Sequence, residues 1–249
     1  MTPYLQNGNN EIIVCVRHQS PNSRWYSGAG IYRDVRLRSV WETHIPKNGI
    51  YVTAIKKQKD MWSLEIDTEV ICKEETTLVY TLFDEEECVV WDSREFLNSQ
   101  RDIIVHTVKT LVSNPQLWDI CAPKRYCLKV GLWREEMLLQ EEAVWFGFRE
   151  TAFDANKGFS LNGRHVKLKG VCEHHDLGCL GAAYNRTAMH RKFVMLQKMG
   201  VNAVRLSHNM PAADLMDLAD EMGMLIVSEA FDMWERTKTC LLYTSDAAD

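Results

Sequence analysis

Residues 201–229 read VNAVRLSHNMPAADLMDLADEMGMLIVSE. Two apolar runs in it, Val201–Leu206 and Met224–Val227, have strand length, and Pro211 between them suits the first turn of a helix. Leu215, Leu218, Ala219 and Met222 recur along one side of that helix, and Gly223 is placed to stop it. The stretch therefore predicts β-α-β. The nearly continuous apolar run Met224–Val227 suits a parallel sheet covered on both faces.

Toward the amino end the unit repeats. Thr187 is placed to cap a helix running to Met199, with Met189, Phe193, Leu196 and Met199 on its apolar face and Gly200 at the C′ position. Val166–Val171 supplies the strand before it. Asn162-Gly163, between Phe159–Leu161 and Val166–Leu168, is a hairpin turn signal. Residues 166–229 thus predict β-α-β-α-β, a parallel α/β arrangement that could open a barrel or a doubly wound sheet.

Before Phe148 the texture differs. Ile12–Val16, Val35–Leu37, Tyr51–Ile55, Trp62–Ile71, Thr77–Phe83, Ile103–Val108 and Tyr126–Leu132 are short runs rich in Val, Ile, Thr and aromatic residues. Turn formers break them, among them Pro21-Asn22-Ser23, Pro46-Lys47-Asn48-Gly49 and Asn114-Pro115. Strands at this spacing predict a β-sandwich.

Composition narrows the class. The 249 residues are 46% hydrophobic and 25% charged, enough for a sizeable core. A net charge of -5 argues against nucleic acid as the main partner. Met1–Asn10 lacks the apolar segment of a signal peptide, and no run approaches the ~18–20 apolar residues of a membrane span. No membrane partner is expected, and the chain reads as cytoplasmic if its start is genuine. The eight cysteines contain no C-x-x-C pair, and most are expected to be reduced, buried small hydrophobes.

In parallel α/β folds the reactive groups gather at the carboxyl ends of the strands. Following the three predicted strands come Glu173-His174-His175-Asp176, then Arg205, Ser207, His208 and Asn209, then Glu229, Phe231, Asp232 and Trp234. The opposite ends, at Gly200 and Gly223, are bland turns. Imidazole, amide, guanidinium, carboxylate and indole groups suit a sugar, whose hydroxyls need planar donors and acceptors and whose ring needs an aromatic face. Bland readings stand beside this one. Arg205 could be a buried structural arginine paired with Glu229. His208-Asn209 could cap the helix at Pro211. Adjacent histidines before an Asp lack the H-x-x-x-H spacing of common zinc sites, so no metal is expected. G-x-S-x-G, P-loop and G-x-G-x-x-G patterns are absent, so no other nucleophile or cofactor is implied.

The motifs together resemble a known family. Ser23-Arg24-Trp25-Tyr26-Ser27-Gly28-Ala29-Gly30-Ile31-Tyr32-Arg33 is similar to the closing signature of the sugar-binding β-domain of glycoside hydrolase family 2. Asn114-Pro115-Gln116-Leu117-Trp118, with Pro123 and Tyr126, resembles its immunoglobulin-like domain. Gly147-Phe148-Arg149, Leu161-Asn162-Gly163 and Lys169-Gly170-Val171 resemble the lead-in to its barrel. Asn202–Asn209 resembles the motif of its second barrel strand, and Asp220–Gly223 and Glu229–Asp232 follow in order. His174-His175-Asp176-Leu177-Gly178 looks closest to the β-galactosidase branch.

The resemblance implies three pieces. Residues 1–40 would be the C-terminal part of a sugar-binding β-sandwich, 41–147 an immunoglobulin-like β-sandwich, and 148–238 the first three β/α units of a (β/α)₈ TIM barrel. Residues 239–249 would be a non-native tail. It also implies a retaining hydrolase of terminal β-linked sugars, whose two glutamates lie beyond the chain end. His174, Arg205 and His208 would line the sugar pocket, with Asp176, Asn209 and Glu229 as neighbours. Catalytic residues are expected to be absent here, so the chain alone should be inactive. No cofactor is implied, carbohydrate is the expected partner, and a homo-oligomeric parent is compatible with the resemblance. The rival reading from another class is a non-catalytic carbohydrate-binding β-sandwich protein.

Overall fold

The computed structural model describes residues 2–18, 30–99 and 103–230. Two antiparallel sheets form the first part. One contains β1 (Ile50–Gln58), β2 (Met61–Ile71) and β5 (Ile103–Ser113) in the order β1-β2-β5. The other contains β3 (Thr76–Phe83), β4 (Val89–Leu97), β8 (Tyr126–Arg134) and β9 (Met137–Phe146) in the order β4-β3-β8-β9. Their inner faces follow from alternation. Trp62, Leu64, Ile66 and Val70 of β2 meet Leu78, Tyr80 and Leu82 of β3 and Leu128, Val130 and Leu132 of β8 in one buried core. Burying each such side chain contributes roughly 1.5–3 kcal/mol. Tyr80 is the polar crossing point. Its hydroxyl donates to Thr68 Oγ1 at 3.0 Å, and burial pushes its pKa up to about 12.

Between β5 and β8 lies a short ribbon, β6 (Trp118–Asp119) against β7 (Ala122–Pro123). After β9 comes a three-stranded meander of β10 (Thr151–Asp154), β11 (Gly158–Leu161) and β12 (Arg164–His165). The expected hairpin turn is present, with Asn162 and Gly163 at φ of 52° and 75°. The parallel sheet is then β13 (Gly170–His174), β14 (Ala203–Ser207) and β15 (Leu225–Ser228). Helices α1 (Arg186–Lys198) and α2 (Ala213–Met222) connect them. Met189, Phe193, Leu215 and Leu218 of the helices pack with Val204 and Leu206 of β14 in one cluster. Both helices therefore cover the same face, and the strands lie in sequence order. A barrel opens in this way, and so does one half of a doubly wound sheet, so these three strands are compatible with the expected barrel.

Several expectations are corrected. The first barrel strand is Gly170–His174 rather than Val166–Val171. Val166 instead packs in a separate cluster with Trp118 and Leu161. The α1 cap is Asn185, whose side chain accepts from the Ala188 N–H at 2.9 Å, not Thr187. Helix α2 starts two residues after Pro211, and Ala212 at its N-cap offers no side-chain bond, so His208-Asn209 does not cap it. Met199 is 75% exposed, because it follows the last turn of α1. Ile12–Val16 and Val35–Leu37 belong to no strand among the described residues. All seven described cysteines are free, as expected, but only Cys72 and Cys127 are buried. The segment from Ser23 to Ala29, the 231–238 stretch and the tail from 239 lie outside the described residues.

The two parts are pinned at Trp118. Its side chain is 1% exposed, and its indole Nε1–H donates to the Asp220 carbonyl in α2 at 2.8 Å. The Arg149 guanidinium lies 4.6 Å over its ring, and a Cβ on Gly147 would stand 2.6 Å from its Cβ. The same seam presses Ile120 onto the end of α2. Gly223 has φ of 71°, and a Cβ there would stand 2.5 Å from the Ile120 carbonyl oxygen. Gly200, at φ of 83°, has open space instead. Both Gly→Ala changes incur the left-handed strain of about 1–2 kcal/mol, and only the one at 223 adds a backbone clash. Gly223→Ala should therefore lower the urea midpoint measurably more than Gly200→Ala. Equal effects would show that the seam yields freely.

Candidate functional site

The ladder sets which groups share a pocket. Cys172 pairs with Arg205, Arg205 with Val227, and His174 with Ser207. Val171, Val204, Leu206 and Ile226 pack against the helices. Side chains alternate along a strand, so Cys172, His174, Arg205, Ser207 and Val227 face the opposite side, the barrel interior. His208 and Glu229 follow β14 and β15 directly.

These groups form one network. Arg205 Nε donates to Glu229 Oε1 at 2.7 Å, and Arg205 Nη2 is ion-paired with the same carboxylate. His208 Nδ1 lies 2.6 Å from Glu229 Oε2. The His174 and His208 rings stand edge to face, 5.5 Å apart at 86°. Arg205 Nη1 reaches Cys172 Sγ at 3.6 Å. A guanidinium has only donors, so the 3.3 Å approach of Arg205 Nη2 to His208 Nδ1 is secondary, and Nδ1–H donates to the carboxylate.

The electrostatics follow from these contacts. The hydrogen bond from His208, followed by the Arg205 guanidinium, holds the Glu229 carboxyl below the ordinary glutamate value. Arg205 is raised further by its contacts with Cys172 and Glu229. Side-chain exposures of 42% for Arg205 and 25% for Glu229 mean that water screens this pair. Both Glu229 oxygens are occupied by cations or donors. The carboxylate is thus an ionised anchor, suited neither to deliver a proton nor to attack carbon.

The structure brings together four of the six expected residues, His174, Arg205, His208 and Glu229. The arginine–glutamate pair expected of a structural arginine is present, but it faces the barrel interior and is not buried. Asp176 lies on the loop after β13, where its carbonyl accepts from Lys192 Nζ at 3.1 Å while Lys192 also pairs with Glu173. Asn209 is exposed, outside this hydrogen-bond network. His175 turns away from the network. Burial, reinforced by the Arg33 charge, lowers its pKa, and its Nε2 is buried without a hydrogen-bond partner among the described residues. Sequence reasoning missed Cys172 and Lys192, which no local motif marks. It also missed a largely apolar cleft of about 230 Å³ beside β15 and the meander, lined by Phe153, Phe159, Leu168 and Met216 among others.

A β-sandwich fastened to barrel-type β/α units, with a His–carboxylate–guanidinium cluster at the carboxyl ends of the strands, defines the class as a barrel enzyme with accessory β-domains. The family 2 glycosyl hydrolase model matches residues 43–149, and the model of that family's TIM barrel domain matches residues 154–245. The chain belongs to glycoside hydrolase family 2. A β-galactosidase of Bacteroides ovatus, BoGH2A, is 41% identical over 246 residues, which cover 96% of this chain and 29% of that protein. A protein of Formosa agariphila named as a β-glucuronidase is 34% identical over 95% of this chain and 23% of its own length. A solved β-glycosidase from Bacteroides vulgatus superposes with a TM-score of 0.85 at 31% identity, covering 95% of this chain and 30% of that one. The chain thus spans under a third of the length of these relatives.

Protonating Glu229 would remove one side of the network. Because its folded pKa is depressed, the stabilisation is present above the ordinary value of 4.5 and is lost as pH falls through the lower folded value. Hydrogen-exchange protection at the amides of His208–Met210 should drop in that acid window. In Glu229→Gln it should be low at neutral pH and change little on acidification. Equal acid profiles for the two chains would exclude the carboxylate as the anchor.

Proposed function

We propose that the whole protein is a retaining hydrolase of terminal β-linked sugars, with β-galactosides as its substrates. The observation that carries this reading is the interior-facing network of His174, Arg205, His208 and Glu229 at the carboxyl ends of consecutive parallel strands. Its chemistry is recognition. The remaining Arg205 N–H groups donate, and the His208 and His174 imidazoles stand beside them as planar polar groups, so vicinal hydroxyls can be held from two sides. Asp176 and Asn209, which follow β13 and β14, would add further polar groups. The preference for galactosides rests on the His174-His175-Asp176 sequence and on the name of the 41% identical relative.

In this reading residues 1–40 close a sugar-binding β-sandwich, 41–147 form an immunoglobulin-like sandwich, and 148–238 open the barrel, with the final eleven residues outside the native fold. Retention requires two carboxyls about 5–5.5 Å apart. Glu229 is committed to Arg205 and His208, so both would come from later strands, and residues 1–249 alone would not cleave glycosides. Carbohydrate is the partner, and no cofactor is required. The non-catalytic carbohydrate-binding alternative would place the recognition groups on the sandwich, whereas the cluster lies on the barrel strands.

The test is turnover of p-nitrophenyl β-D-galactoside by the full-length protein, with the glucuronide as comparator and NMR detection of the first anomer released. Galactoside cleavage with retention is expected, and none from residues 1–249. Arg205→Ala in the full-length protein should lower kcat/KM by about 10²-fold or more, since it removes charged hydrogen bonds and unties the Glu229 carboxylate. Inversion, faster glucuronide cleavage, or an unaffected Arg205→Ala would each overturn the corresponding part of the reading.

A further inference from the structure

We propose that the segment Tyr32–Arg36 is a strap that positions the two loops carrying the strand-end network, with Arg33 as its principal positioning residue. Three contacts made by this short stretch all reach the barrel. Arg33 Nη2 donates to the carbonyl of Met210 at 2.5 Å, across 177 residues of sequence. Met210 lies two residues after His208, where the chain has left β14 and no ladder holds it. The Arg33 guanidinium also stands 5.2 Å over the Tyr32 ring. Tyr32 in turn meets His175 edge to face, with centroids 6.4 Å apart at 85°. His175 adjoins His174, on the loop after β13. Finally, Arg36 lies 3.8 Å from Asp214 in the first turn of α2, while bonding Asp34 at 3.0 Å. The stack Arg33–Tyr32–His175 and the bond to Met210 thus tie the loop after the first barrel strand to the loop after the second.

The strap has little packing of its own. Ile31, Tyr32, Val35 and Leu37 are all at least half exposed. Its placement is therefore set by what it touches on the barrel rather than by a core beneath it. A guanidinium on a backbone carbonyl is a charge-assisted bond with a fixed fork, stronger and more directional than a neutral one. The Arg36–Asp214 pair is longer and more exposed, which makes it the minor anchor. The charge of Arg33 also reaches His175, whose pKa is lowered first by burial and then by this guanidinium. A segment preceding the sandwich thereby fixes groups that sequence distance would place in an independent domain.

The positioning claim rests on geometry alone. That the positioned site binds sugar rests on the reading above. The test therefore uses residues 1–249 and no sugar. It compares wild type, Arg33→Ala, Arg33→Lys and Arg36→Ala by backbone amide exchange and by NMR of the histidine rings, with the urea midpoint recorded for each. Arg33→Ala should lower protection at His208–Met210 by about 3–10-fold, the effect of one charge-assisted bond partly exposed to water. It should shift the His175 ring signals and leave the urea midpoint within error. Arg33→Lys should restore at least half of the protection, and Arg36→Ala should change it by less than about twofold. If Arg33→Ala does not fold, Tyr32→Leu takes its place and should shift the His175 and His174 ring signals. The proposal is overturned if protection at His208–Met210 and the His175 signals match wild type, if protection falls uniformly over β13–β15, or if Arg33→Lys restores nothing. Such a failure would leave the glycosidase reading untouched, and absent turnover in the full-length protein would leave the strap untouched.

Discussion

The molecule turns on one indole. Trp118 lies in the ribbon between β5 and β8, and its Nε1–H spans the seam to the Asp220 carbonyl in α2. Its backbone N–H donates to the Phe148 carbonyl at 2.9 Å, and its carbonyl accepts from Asn162 Nδ2 at 3.0 Å. One residue thus bonds the sandwich exit, the meander and a barrel helix at once. Its surroundings are built to that approach. Gly147 leaves room for its Cβ, and Asp119 holds Arg164 of the meander through both oxygens at 2.8 Å. Arg125 adds an ion pair to Glu221 at 3.3 Å. A buried donor without its acceptor would cost about 1–3 kcal/mol, so the seam is fixed by satisfaction as much as by area. The orientation of β13–β15 relative to the sandwich follows from it.

Much of this fold was legible. Alternation found the sandwich strands because its core residues, such as Leu64, Ile66, Leu78 and Leu128, sit at a strict period of two. The strands β4 and β9 escaped. Asp92, Arg94 and Glu95 lie in β4, and Gln140, Glu141 and Glu142 in β9, which masks an outer strand with one wet face. The glycine stops of both helices were read correctly, because a left-handed residue after a helix is a local demand. Caps were not, since several polar residues stood near α1 and only geometry chose Asn185 over Thr187. Barrel against doubly wound sheet was also undecidable locally. Both folds open with three strands in order and two helices on one face, so the barrel is identified by the family's TIM barrel domain and not by any window of sequence.

The site was legible by position more than by role. Strand-end logic placed His174, Arg205, His208 and Glu229 together because a parallel ladder aligns the carboxyl ends of neighbouring strands. It could not say that His208 and Arg205 would converge on the same carboxylate, which needs the chain to leave β14 and turn toward β15. Nor could it separate two adjacent histidines. Their strand-end register sends His174 toward the network and His175 toward the buried side, against Tyr32. Lys192 is a surface charge by sequence, and only the packing of α1 beside β13 turns it into the clamp on Glu173 and Asp176.

A carboxylate held by two partners has lost the freedom that catalysis needs, and that loss has a use. If Glu229 were unpaired, Arg205 would satisfy itself with water, and the His208 ring would lose the bond that fixes its Nδ1. With both oxygens taken, the guanidinium and the imidazole are oriented before any ligand arrives, so binding need not supply the ordering entropy of two long side chains. The same economy explains why supports accumulate behind them: Lys192 on the first loop, Arg33 on the second, and Trp118 beneath the sheet. Each acts through a different part of the chain, 85 residues separating Arg33 from Trp118 and 74 separating Trp118 from Lys192. The strand-end network is therefore a product of all three segments, and its rigidity cannot be assigned to the barrel strands alone.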